Sequence, residues 1–149
     1  MANEGLTIEK RGDGVAIVRM DIPGEPMNTL KGDFVDTFME VFTSVENDPE
    51  IKAVVFTSGK KDSFIAGADI RFFVRNLDAG NLDRIATFTE HGRALLHDLS
   101  HCDKPVIARL HGLALGGGLE LALACDPIVP ARQSDVAFPP TRPRATPCP

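Results

Sequence analysis

Residues 112–126 read GLALGGGLELALACD. Upstream, PVIARL at 105–110 is a short apolar run with polar flanks, the pattern of a strand covered on both faces. Downstream, 119–125 is apolar and rich in Leu and Ala, which predicts a helix. A strand, a glycine turn and a helix form the repeating unit of an α/β protein.

Working outward, the same unit recurs. Residues 52–57, KAVVFT, predict a second buried strand. Phe34, Val35, Phe38, Val41, Phe42 and Val45 fall at helical spacing, and that helix should stop before Asn47-Asp48-Pro49. A further helix fits 82–99, with Leu82, Ile85, Phe88, Leu95, Leu96 and Leu99 on one side and Gly92 in its interior. Leu6–Arg11 and Val15–Met20 read as strands joined by an Asp13-Gly14 turn. IPGEPMNT at 22–29 and SGKKDSFIAGADI at 58–70 read as loops. The order predicts an α/β fold with at least partly parallel strands. Residues 139–149, PPTRPRATPCP, hold five prolines in eleven positions and read as a disordered tail.

Composition narrows the function. The 149 residues suit one domain with a real core. A hydrophobic content of 43% and a charged content of 25% are ordinary for a soluble globular chain. The net charge of −5 speaks against nucleic acid and acidic membranes as partners. No apolar run is long enough for a membrane span, and MANEGLTIEKRGDG carries no signal-peptide core. Cys102, Cys125 and Cys148 make no CxxC pair, and an odd count without a signal fits a reducing cytoplasm. His97 and His101 lie four apart but lack a third ligand, so no metal is expected. Cys125 reads as a buried small hydrophobe, Arg71 as a solvated surface arginine, and Lys60-Lys61 as a charged loop.

The glycine run matches neither common phosphate-binding pattern. A P-loop would need Gly-Lys-Ser/Thr, and Gly118 is followed by Leu119. A G-x-G-x-x-G begun at Gly116 would end on Leu121. Two readings remain. The glycines make a tight turn and Glu120 complements the helix dipole, or they bare N–H groups at a helix N-terminus that suits an oxyanion. In the second reading Glu120 exchanges protons with whatever is held there. Its apolar helix would raise its pKa and the helix terminus would lower it. FIAGADI at 64–70 adds a second small-residue loop, with Asp69 at the start of a short helix as its cap. Two loops can supply two fixed N–H donors from different chain segments, as enolate stabilisation requires.

FIAGADI followed by HGLALGGGLELALACD resembles the crotonase (enoyl-CoA hydratase/isomerase) superfamily, over about residues 6–138. PGEPMNTL, with Asn28-Thr29-Leu30, resembles the N-terminal hydratase part of the multifunctional fatty-acid oxidation enzymes. The resemblance implies a spiral of ββα turns, an acyl-CoA thioester substrate, and assembly as trimers or in multienzyme complexes. It implies no metal and no redox cofactor in this part, NAD serving only a dehydrogenase part if one follows. By motif position, Ala68 and Gly117 would give the oxyanion-hole N–H groups, and Glu120 would be one of two catalytic glutamates. Ala66, Gly67, Asp69 and Ile70 would line the CoA-binding loop.

The sequence departs from that pattern near its end. Counting from Glu120 to the place of the second glutamate lands on Arg142, and no glutamate follows Glu120. The family texture stops at about Phe138. The expectation is therefore a partial crotonase-like domain over 1–138, incomplete at its C-terminus through a frame shift or early stop, with a proline-rich tail. Three readings follow: an enoyl-CoA hydratase/isomerase with one glutamate present, a non-catalytic acyl-CoA-binding or assembly protein, or a non-functional remnant.

Overall fold

The computed structural model describes residues 2–3 and 5–137, of which 2–3, 33 and 132–137 are described by backbone alone. Phe138 and the expected tail at 139–149 lie outside the described residues. Among the described residues, seven strands and four helices follow in the order β1 (Ala2–Asn3), β2 (Leu6–Lys10), β3 (Val15–Met20), α1 (Gly32–Glu46), β4 (Ala53–Ser58), β5 (Ser63–Ile65), α2 (Ile70–Asp78), α3 (Leu82–Ser100), β6 (Val106–Leu115), α4 (Gly117–Ala124) and β7 (Ile128–Ala137).

The strands form one mixed sheet in the order β1-β2-β3-β4-β6-β5, with β7 also on β6. The first three strands are antiparallel neighbours, and β3 pairs parallel to β4. β6 is long enough to serve three partners: Val106–Ala108 pair with β4, Leu113–Ala114 with β5, and Ala108–Leu115 with β7, all parallel. β7 and β5 must then flank β6 on opposite sides, with α4 as the crossover from β6 to β7.

Alternation explains the strands and helical periodicity explains α1. In β3, Ala16, Val18 and Met20 face the core, and in α1 all six apolar residues at helical spacing are buried. Phe38 of α1 meets Phe56 of β4 edge-on at 5.1 Å, and Phe56 meets Phe64 of β5 at 5.5 Å. Such pairs add about 0.5–1.5 kcal/mol each beyond burial, and this chain of rings anchors the strand that carries the FIAGADI loop. Lys104 donates to Val45 O (2.9 Å) and Asp48 O (2.6 Å), placing a cation at the C-terminus of α1.

Three expectations need correction. The 58–70 stretch contains β5, whose Ser63, Phe64 and Ile65 are buried; three residues are too short to show a period. The expected apolar face of α3 reaches the core from Phe88 onward but not at its start: Phe88 packs against the core and Leu95 is 3% exposed, whereas Leu82 is 61% exposed. The helix expected at 119–125 begins at Gly117, so two of the three glycines lie in its first turn. No helix among the described residues is long and apolar enough to cross a membrane.

Candidate active site

The site begins with Asn28, which is fully buried. Its side-chain amide donates to Met20 O (2.9 Å), Ser58 Oγ (2.9 Å) and Phe64 O (3.2 Å), while Oδ1 accepts from Ile22 N (3.0 Å). One side chain thus ties together the ends of β3, β4 and β5. Its own carbonyl accepts from Ala66 N at 2.8 Å, which starts a short parallel ladder. Leu30 N donates to Gly67 O (2.8 Å) and Asp69 N donates to Leu30 O (2.9 Å), with Leu30 opposite Ala68. In parallel pairing both bonds belong to Leu30, so the Ala68 N–H points away from it. Gly67 makes the turn with a φ of +91°, and a Cβ there would lie 3.3 Å from Leu115 O.

The glycine triplet divides into three tasks. Gly116, at φ +46° and ψ −123°, makes the turn, and its carbonyl accepts from Leu119 N (2.9 Å) and Glu120 N (3.0 Å). Gly118 lets α4 lie on β5: a Cβ would stand 2.4 Å from Ile65 O. Gly117, whose Cβ would stand 3.1 Å from Leu30 Cδ1, opens the helix where N–H groups have no acceptor within the helix. Gly118 is thus a packing residue, and Gly117 is the glycine of the first turn that faces Leu30.

Ala68, Gly117 and Glu120 line one cavity of about 390 Å³, whose other walls include Leu30, Val35, Phe88, Leu96 and Leu121. Glu120 Oε2 reaches back over the first turn, 4.0 Å from where a Gly117 Cβ would be. The sequence leaves open how far the apolar helix covers Glu120. Leu119, Leu121 and Ala122 take the inward face of α4 and leave Glu120 on the exposed one. Among the described residues no ion pair involves it.

The remaining loop residues lie beside this cavity. Asp69 caps α2, accepting from Arg71 N (2.9 Å) and Arg71 Nε (3.1 Å). Burial pushes its carboxyl up, but the bonds from Arg71 outweigh this and hold it below the usual range. Arg71 also reaches Glu25 (3.5 Å), which pairs with Lys31 at 2.7 Å. The Lys31 bond holds the Glu25 carboxyl low as well. Ile70 is 75% exposed, and Ala66 and Gly67 are held in the ladder. Asp69 lines a second cavity of about 380 Å³ with Lys31, Arg75, Asn76, Asn81 and Arg84. Phe72 on its wall and Phe88 on the wall of the first are 5.3 Å apart, so the two are neighbours. Sequence reasoning missed the anchoring role of Asn28; its signal was a lone amide in a loop between apolar strands. Cys125, expected to be buried, is only partly so and packs against the edge of the core: desolvation pushes its thiol up to about 12, and Sγ donates to Leu121 O.

Known proteins resemble this chain in sequence and in fold. A profile described as enoyl-CoA hydratase/isomerase matches residues 10–143. A fatty acid oxidation complex subunit alpha from Shewanella sp. (strain W3-18-1) is 45% identical over 120 residues, which are 80% of this chain and 17% of the relative. The structure of DspI from Pseudomonas aeruginosa superposes with a TM-score of 0.82 at 31% identity, covering 92% of this chain and 53% of that one. An enoyl-CoA hydratase from Thermoplasma volcanium GSS1 superposes at 0.78 and 28% identity, covering 92% and 52%. The chain thus spans about a sixth of the curated relative and about half of each solved structure. A match over nearly the whole chain, joined to a crotonase-type α/β fold with both small-residue loops on one cavity, means that this chain belongs to the enoyl-CoA hydratase/isomerase family.

Proposed function

We propose that the chain binds a fatty acyl-CoA thioester and acts as an enoyl-CoA hydratase/isomerase in β-oxidation. The observation that carries this is the convergence of Ala68, Gly117 and Glu120 on one largely apolar cavity. In this reading the Ala68 and Gly117 N–H groups hold the thioester oxygen and stabilise the enolate that forms when a proton leaves C2 or when water adds at C3. Glu120 moves that proton. In hydration, the water hydroxyl joins C3 and a proton joins C2, with no net oxidation and hence no call on a redox cofactor. Ala66, Gly67, Asp69 and Ile70 form the CoA-side loop, with Asp69 fixing its exit into α2. The cationic walls of the second cavity suit the CoA phosphates. Free thiols at Cys102 and Cys125 fit a cytoplasmic setting. The naming of the curated relatives as alpha subunits of a complex supports assembly with partner chains.

One observation favours a particular branch of this chemistry. Among the described residues, Glu120 is the single carboxylate lining the cavity. One carboxylate suffices for a 1,3-proton shift, removing a proton from C2 of a 3-enoyl-CoA and returning it to C4. Incubating the 149-residue chain separately with a trans-2-enoyl-CoA and a 3-enoyl-CoA tests both branches. Formation of 3-hydroxyacyl-CoA supports hydration, and formation of the conjugated isomer supports the proton shift. Tight binding with neither product makes the chain a non-catalytic acyl-CoA binder, and absence of binding overturns the proposal.

A further inference from the structure

The middle of α3 carries a glycine without a structural reason. Gly92 is the eleventh of the nineteen residues of Leu82–Ser100. A glycine within a helix costs about 1 kcal/mol relative to alanine. Two circumstances ordinarily require it, a positive φ or a close approach by another backbone. Gly92 meets neither: its φ is not among the positive ones, and a Cβ built on it meets nothing within 4 Å. Gly118, by contrast, has Ile65 O at 2.4 Å from its Cβ position.

What Gly92 does border is the cavity that holds Ala68, Gly117 and Glu120. Phe88 and Leu96, four residues to either side, and Thr89 and Leu95, three to either side, line the same cavity. These are its neighbours on one helix face. A side chain at 92 would stand among them, so its absence is a notch in an apolar wall.

We propose that Gly92 sets the acyl-chain length this site accepts, by leaving the notch through which the chain runs along α3. The inference rests on the acyl-CoA reading given above. The notch adds room only for the distal methylenes, because the thioester is held at Ala68 and Gly117. A bulky residue at 92 therefore discriminates against long chains and leaves short ones alone.

The test is a series of dissociation constants for butanoyl-, octanoyl- and dodecanoyl-CoA, measured by calorimetry on the 149-residue chain and on the Gly92→Ala and Gly92→Leu variants. Saturated thioesters read binding without turnover. In the parent chain, affinity should rise with length, by up to about fourfold per fully buried methylene. Gly92→Leu should keep butanoyl-CoA affinity within about threefold and lose dodecanoyl-CoA affinity by about thirtyfold or more, roughly the worth of two to three methylenes. Gly92→Ala favours the helix, so it should raise the thermal midpoint while lowering the dodecanoyl-to-butanoyl affinity ratio several-fold; it carries the test if the leucine variant does not fold. An unchanged ratio in a folded variant, or an equal loss at every length, overturns the assignment of Gly92. Failure of the parent chain to bind any of the three overturns the acyl-CoA reading and the inference with it.

Discussion

Two residues carry most of the site's consequences. Glu120 is placed by helix geometry, one turn beyond Gly117 and on the exposed side of α4. Glu120→Gln preserves its size and removes its proton chemistry. Turnover of an enoyl-CoA should fall by about 10² to 10⁴, with acyl-CoA affinity within a few-fold of the parent chain; comparing kcat with a calorimetric Kd checks this. Equal turnover in the variant would remove Glu120 from the mechanism. Asn28 acts one step away. Asn28→Ala leaves the Ile22 N–H without its partner and removes the amide bond to the Phe64 carbonyl in a buried site, while the Met20 carbonyl keeps its bond from Gly59 N. Each stranded group costs about 1–3 kcal/mol, so a loss of about 3 kcal/mol or more is expected in urea unfolding. A variant as stable as the parent would show that the ladder stands without its amide anchor.

At the level of elements, legibility in the sequence tracks how strongly an element repeats its period. α1 turns over four times with an apolar stripe, and the structure places it at Gly32–Glu46, where the spacing of Phe34 to Val45 put it. β3 and β4 are continuous apolar or alternating runs and were equally legible, while β6 was legible only over its first half, PVIARL, and runs on to Leu115. β5 was not, because three residues between two turns carry no period and its pairing to β6 is set by distant chain. The start of α4 was hidden for another reason. Glycine normally argues against a helix, yet Gly118 enters one because the approach of Ile65 O permits no Cβ. In the site, the motif pair was legible and the exposure of Glu120 was not, since one helix pattern can present either face. α2 supplies the testable case at this scale. Its cap Asp69 and the neighbouring Glu25 both titrate below their ordinary values of 3.8 and 4.5 in the folded state. Depressed carboxyls stabilise the fold above their unfolded values and lose that contribution as pH falls through the folded ones. Asp69→Ala should therefore cost about 1 kcal/mol near neutrality, as lost caps do. The gap in thermal midpoint between parent and variant should then narrow below about pH 4. A gap that stays constant from neutrality to acid would mean that Asp69 acts through its shape and not its charge.

Across the whole molecule, the distribution of charge matters more than its sum. A chain of net charge −5 repels a polyanion at long range, so under the proposed function an acyl-CoA needs local compensation. The fold supplies it beside the site. Leu30 and Ala68 border the apolar cavity, and the next residues, Lys31 and Asp69, border the cationic one, so a single ladder separates the two cavities. Lys31 and Arg71 are engaged with Glu25 and Asp69, and Arg75 and Arg84 bring further positive charge to the second cavity. Charge reversal at Arg84 should then weaken binding of free CoA by about fivefold, the worth of one partly exposed ion pair. It should also flatten the salt dependence of that binding, because one screened contact is gone. Titrating CoA into the parent chain and Arg84→Glu at low and high ionic strength measures both effects. If reversal leaves affinity and salt slope unchanged, the phosphates lie elsewhere, and the second cavity is a consequence of the α2–α3 turn with no part in recognition. If it weakens CoA yet spares an acyl-pantetheine thioester, which has no nucleotide, the charge is assigned to the nucleotide end and the chemistry stays with the apolar cavity.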